Sequence, residues 1–192
     1  LLPLFSPDGS RINFGRCPGA FNGCDVVVIN YDGSGERTIL NDGFPGTWSP
    51  DGNQIALSRD DGVYIINADG TGLHRVADPQ AVGDWSPDGR QLMLGNDFDG
   101  DAELYALNLD GSGTIKLTDN TAADNYGRGA GWSPDGTRIL FSSDRGGSGF
   151  DIYVMNPDGT GVTQITHTDG FSEGDPVWSP DATHIAFEAG SK

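Results

Sequence analysis

One five-residue phrase returns through this chain at intervals of 37 to 47 residues, and it restricts the fold more than any other feature. It reads Phe5-Ser6-Pro7-Asp8-Gly9, Trp48-Ser49-Pro50-Asp51-Gly52, Trp85-Ser86-Pro87-Asp88-Gly89, Trp132-Ser133-Pro134-Asp135-Gly136 and Trp178-Ser179-Pro180-Asp181-Ala182. A second phrase alternates with it: Asn30-Tyr31-Asp32-Gly33, Asn67-Ala68-Asp69-Gly70, Asn108-Leu109-Asp110-Gly111 and Asn156-Pro157-Asp158-Gly159. Both describe one kind of turn. Ser or Asn suits the first position of a type I turn, Pro the second and Asp the third, with Gly in the left-handed position that follows. Such a turn closes a hairpin. Pro157 holds the slot that Pro50 holds in the other phrase, which fits a shared geometry. Ala182 breaks the rule. A left-handed Ala costs about 1 kcal/mol relative to Gly, so the last copy is expected to be the most distorted.

Short β-type runs lie between the turns. Those after Ser-Pro-Asp-Gly fall at residues 12–14, 55–57, 92–94, 139–141 and 185–187 (strand b). Those before Asn-x-Asp-Gly fall at 26–29, 63–66, 104–107 and 152–155 (strand c); they are almost continuously apolar, as expected of strands covered on both faces. Those after it, at 37–40, 75–77, 114–117 and 163–166 (strand d), are the most polar and read as exposed. The aromatic of each Phe/Trp-Ser-Pro ends a further strand, a, rich in Gly and small residues. Each repeat is therefore a four-stranded antiparallel sheet, which alone cannot bury both its faces. Radial stacking can, and that is a β-propeller. The fold expected is all-β, a single propeller domain over 1–192, with repeats near 1–43, 44–80, 81–127, 128–173 and a partial one at 174–192. The small residues Gly46, Gly83, Gly129 and Gly131 fit crowding near an axis. One Trp per repeat in a fixed frame is expected to pack between blades rather than to serve as a stacking platform.

The pattern W-S-P-D-G…I-x-F…D-I-Y-V-M-N-x-D-G-[ST]-G resembles the TolB-like (WD-repeat-like) β-propeller family. Residues 136–141 and 151–161 match it almost letter for letter, and the resemblance covers essentially the whole chain. It implies a ring that is usually six-bladed and sometimes seven-bladed. Four full repeats and a half, about 18 strands, depart from that count, so the expected ring is incomplete or is closed by a further segment or chain. The resemblance further implies protein–protein contact in the bacterial periplasm or at the cell surface.

Alternation of strands sorts the connections. The a–b and c–d turns fall at one end and are tight. The b–c loops (16–24, 59–62, 95–102, 143–150) and d–a loops (41–46, 78–83, 119–130, 168–175) fall at the other and vary, and variable loops on a rigid scaffold are where binding usually resides. The 28 acidic residues against 11 Lys and Arg give a net charge of −17. Nine of the acids are turn aspartates, and fourteen lie in or beside the variable loops. That balance argues against a nucleic-acid binder, which needs clustered cations. It predicts a negative loop face that attracts basic protein partners or cations; solubility alone is the competing explanation. The contact residues expected there are Asp60, Asp61, Phe98, Asp124, Tyr126, Arg128, Asp144, Arg145, Phe150, Phe171 and Glu173.

Individual motifs point to less. Asp97, Asp99, Asp101 and Glu103 alternate in a Gly-containing loop, which is the oxygen chemistry Ca²⁺ takes, although EF-hand spacing is absent and a loop of turn-formers needs no ion. Asp25, Glu103 and Asp151 stand just before strand c and are expected to cap a neighbouring loop backbone. Cys17 and Cys24 flank the first b–c loop at the two sides of a hairpin mouth, within disulfide reach, and a bridge there implies an oxidising compartment. No zincin pair, nucleophile elbow or phosphate loop occurs, so no catalytic residue is expected. No run approaches the roughly 18 apolar residues of a membrane span. The function expected is a non-enzymatic, extracytoplasmic protein-binding or scaffold module. The alternatives are the propeller of a larger hydrolase, as in prolyl-oligopeptidase relatives, or a structural unit of a surface assembly.

Overall fold

The computed structural model describes residues 3–17, 19, 23–96, 102–125, 131–147, 149–168 and 170–191, and all regular structure among them is β. The chain divides into two compact units, Leu1–Val82 and Gly83–Lys192.

In the first unit, β1 (Leu4–Phe5), β2 (Arg11–Arg16), β3 (Cys24–Asn30), β4 (Arg37–Trp48), β5 (Gln54–Arg59), β6 (Gly62–Asn67) and β7 (His74–Ala77) form one ladder in sequence order. It contains two repeats. The early residues of β4 pair with β3 and its late residues with β5, so one strand is d of the first repeat and a of the second. A d–a loop was expected at 41–46. Instead the chain stays extended through register shifts, with Asp42 at a left-handed φ of 60° taking up the change of direction. Val26, Val28 and Ile39 of one repeat and Trp48, Ile55, Leu57 and Ile66 of the next fill a shared core. The Trp48 indole N–H donates to the Leu4 carbonyl at 3.1 Å, and the Arg11 guanidinium lies over its ring.

The second unit takes in most of β8 (Ala81–Trp85), then β9 (Gln91–Asn96), β10 (Glu103–Asn108) and β11 (Gly113–Lys116), a four-stranded sheet in the order 11-10-9-8. The next sheet is built of β12 (Asp124–Asn125), β13 (Gly131–Trp132), β14 (Ile139–Ser143), β15 (Asp151–Met155) and β16 (Thr163–Gln164), with β12 and β13 both pairing β14. The last is a pair, β17 (Phe171–Trp178) and β18 (Ile185–Ser191). Met93, Leu104, Ala106 and Leu117 of one sheet pack with Trp132, Ile139, Phe141, Tyr153 and Met155 of the next. The c strands are buried almost throughout, and the d strands β7, β11 and β16 are largely exposed. Phe5, in the aromatic frame of the first repeat, is 61% exposed.

Every Ser-Pro-Asp-Gly turn has the same bonding. The serine hydroxyl donates to the aspartate two residues on, at 2.6–2.7 Å, and accepts an amide five residues on, at 2.9–3.0 Å. The fourth-position Gly has φ near 70°, and Ala182 adopts 57° with the same hydrogen bonds. The expected distortion of the last turn is therefore absent, because these bonds hold the Ala in place despite its strain. Of the four glycines expected to crowd an axis, three are described. A Cβ on Gly46 would lie 1.8 Å from the Ala56 carbonyl oxygen, and one on Gly83 would meet Met93, both in strand b of the same sheet. Only Gly131 faces the preceding sheet, against Asp84. Gly129 lies outside the described residues.

Candidate functional site

The a–b and c–d turns bond to each other. Tyr31 N–H donates to Ser10 O, Ala68 to Asn53 and Leu109 to Arg90, at 2.8–3.0 Å. Pro157 has no N–H for this bond, and there Arg138 donates to the Asn156 side-chain oxygen at 2.5 Å. The variable loops likewise meet one another within each unit. The Ser58 hydroxyl donates to Gln80 O, the Ala123 amide to the Asp144 carboxylate and the Glu173 amide to Phe150 O. The two kinds of connection thus sit at opposite ends of the sheets.

In the first unit, Asp60 and Asp61 form the tip of the β5–β6 hairpin. They are exposed, and with Asp42, Phe44 and Arg59 they line a cavity of about 220 Å³. The Tyr64 hydroxyl donates to Asp61 at 2.9 Å, which raises the phenol's pKa, and the Arg59 guanidinium lies 5.4 Å from the Tyr64 ring centroid. Cys17 and Cys24 are disulfide-bonded at the mouth of the β2–β3 hairpin, with Cα atoms 4.3 Å apart.

The second unit carries a buried polar array. Glu103 is 1% exposed and accepts from the Thr118 hydroxyl and the Asn120 amide, with the Lys116 ammonium 3.5 Å away. The Lys116 pKa is raised, chiefly by its bond to Asp119 and then by the Glu103 charge. Glu103 therefore caps the next loop as expected; it is corrected as a Ca²⁺ ligand, because its oxygens are already occupied inside the sheet. Asp97, Asp99 and Asp101 lie outside the described residues. No group of three potential metal ligands occurs among the described residues. Among the described residues, the Asp151 carboxylate accepts from the Gln164 side chain at 3.0 Å rather than from a loop backbone. Asp25 is half-buried at the start of β3.

Asp124 also needs correction as a contact residue. It is 0% exposed, one oxygen accepting from Arg145 Nη2 and the other from Asn120 Nδ2, each at 2.7 Å. Arg145 is held against the Phe141 and Tyr153 rings, both centroids 5.1 Å away, and donates from Nε to the Ser143 hydroxyl. Both serve the sheet. Asp144 and Phe150 are half-buried in the loop, Phe171 is exposed, and Glu173 is 2% exposed. Phe98, Tyr126 and Arg128 lie outside the described residues. Sequence reasoning did not single out Asp175 and Glu188, both exposed at the β17–β18 edge, as contact residues, although their place beside a d–a loop and on strand b was readable. With Glu173, Phe150, Ser172 and Asn125 they line a cavity of about 320 Å³.

Sheets of this repeat pattern, with the turns bonded at one end and acidic loops at the other, define a β-propeller repeat protein. A family model described as the TolB beta propeller domain matches residues 25–192, and the chain belongs to that family. Over 82 residues it is 34% identical to the Tol-Pal system protein TolB of Geobacter sulfurreducens, covering 43% of this chain and 18% of that protein. Over 54 residues it is 37% identical to the uncharacterized peptidase YuxL of Bacillus subtilis, covering 28% of this chain and 8% of that protein. The chain thus spans less than a fifth of either curated relative's length. The crystal structure of TolB from Acinetobacter baumannii aligns with a TM-score of 0.75 at 22% identity, over 93% of this chain and 47% of that one. That likeness is one of fold.

Proposed function

We propose that this chain is a protein-binding module of an extracytoplasmic compartment and that it engages basic partners through its variable loops. The observation that carries this reading is the contrast between the two ends. The turn aspartates use their carboxylates within their own turns. On the loop side, Asp60, Asp175 and Glu188 are exposed and have no ion-pair partner among the described residues. A rigid scaffold with uncompensated carboxylates attracts a cationic surface, in a manner that salt weakens. The Cys17–Cys24 bridge supports an oxidising compartment.

The test is fluorescence anisotropy of an Arg- and Lys-rich peptide against the full chain. Binding is expected to weaken with salt and to drop several-fold in Asp175→Asn/Glu188→Gln. Binding that ignores both would contradict the reading. A second reading, a propeller that controls access to a hydrolase elsewhere in a longer protein, is favoured by the match to the peptidase YuxL. Labelling of the full-length gene product by an active-serine phosphonate reagent would support it.

A further inference from the structure

Asp124 and Glu173 hold the same place in consecutive sheets. Each donates its amide, at 2.7 Å, to the carbonyl just before the first acid of the preceding c strand: Ala102 before Glu103, Phe150 before Asp151. Each is buried, and each pairs with strand b of its own sheet, Asp124 opposite Ser143 and Glu173 opposite Ala189. Counting from those pairs puts Ser191 where Arg145 stands. The threonines that accept the c-strand amides, Thr118 from Leu104 and Thr166 from Ile152, likewise set Thr168 in the place of Asn120. Both donors that neutralise Asp124 are thus replaced at Glu173 by side chains with neither charge nor amide. Ser143, whose hydroxyl steadies the arginine, is replaced by Ala189.

The consequence is visible in the bonding. Oε2 of Glu173 is buried and has no hydrogen-bond partner among the described residues. A carboxylate oxygen in that condition costs stability unless a donor reaches it. Glu173 lines the 320 Å³ cavity, whose other polar walls include Asp175 and Glu188 and whose aromatic wall is Phe150. At about 30 Å³ per water it has room for roughly ten waters, enough for a guanidinium and its aliphatic stem. The walls are suited to that group: carboxylates for its fork of donors and a ring beside it, as Phe141 and Tyr153 lie beside Arg145.

We propose that this cavity receives an arginine side chain presented by a protein partner, whose guanidinium takes at Glu173 the place Arg145 takes at Asp124. The inference deepens the acidic-loop reading and rests on it. The test uses the full chain and two small probes of equal shape, N-acetyl-arginine amide and its neutral analogue N-acetyl-citrulline amide, followed by amide NMR shifts. Saturable binding of the arginine probe is expected, with a dissociation constant on the order of millimolar for so small a ligand. Its shifts should centre on 172–175 and 188–190, and the citrulline probe should bind at least tenfold more weakly. Glu173→Gln should remove the difference between the two probes. Ser191→Arg should raise the melting temperature and block the arginine probe, because the chain then fills the site itself. Equal binding of both probes, binding that survives Glu173→Gln, or no saturable shift would overturn the proposal. If the arginine probe fails while the basic peptide still binds in a salt-dependent way, only the Glu173 site falls. If both fail, the loop reading falls with it.

Discussion

Ser133 is 1% exposed, and its hydroxyl donates to Asp135 while accepting the Arg138 amide. Ser133→Ala removes both bonds and is expected to cost about 1–3 kcal/mol in urea unfolding; a loss below about 0.5 kcal/mol would contradict this account of the turn. The turn aspartates titrate accordingly. Asp8 is held at about 2, first by the Ser6 hydroxyl, and Asp181 at about 2, first by Ser179. Asp51, Asp88 and Asp135 are lowered for the same reason. Because the folded values lie below the unfolded one of about 3.9, the stabilisation is complete above that pH and fades as acid takes it towards 2. Melting temperature measured against pH should therefore fall between about 4 and 2. A turn contribution that instead faded near neutrality would contradict the assignment. These turns were legible because Ser, Pro, Asp and Gly each have a local reason for their position. The endurance of the turn at Ala182 was not legible, since propensity alone does not count the hydrogen bonds that hold a strained residue.

Strands a to d could be read from alternating turn signals and from the difference between apolar c and polar d runs. The continuous β4 could not. Asn41, Asp42 and Gly43 look like loop residues, and only the ladder from β3 into β5 keeps them extended. Charge was the harder problem at this scale. A list of loop acids does not say which of them the sheets enclose: Asp124 reads as a contact residue and is buried and engaged, whereas the cap at Glu103 is legible from its place before strand c. The Asp124–Arg145 pair makes this testable. Arg145→Met leaves a 0%-exposed carboxylate with Asn120 as its one remaining partner among the described residues and is expected to destabilise by about 3–5 kcal/mol. Adding Asp124→Asn should recover much of the loss, since the uncompensated charge goes with it. A single variant as stable as the parent would contradict the burial argument.

Across the whole molecule, the repeats announced the family, while the net charge of −17 gave only a direction for partners. What the structure adds to the sorting of that charge between turns and loops is which of the acids are already engaged. One end of the sheets is closed by turn-to-turn hydrogen bonds, and the other carries loops with uncompensated carboxylates. The turn carboxylates are engaged by their own turns, whereas a cationic partner at the loop end neutralises carboxylates that have no ion pair among the described residues. The most direct measurement is hydrogen–deuterium exchange of the full chain with and without a saturating basic peptide. Slower exchange is expected at 59–62, 143–150 and 168–175 and no change at the five Ser-Pro-Asp turns; protection confined to those turns, or none anywhere, would contradict the claim that the acidic loops are the binding side.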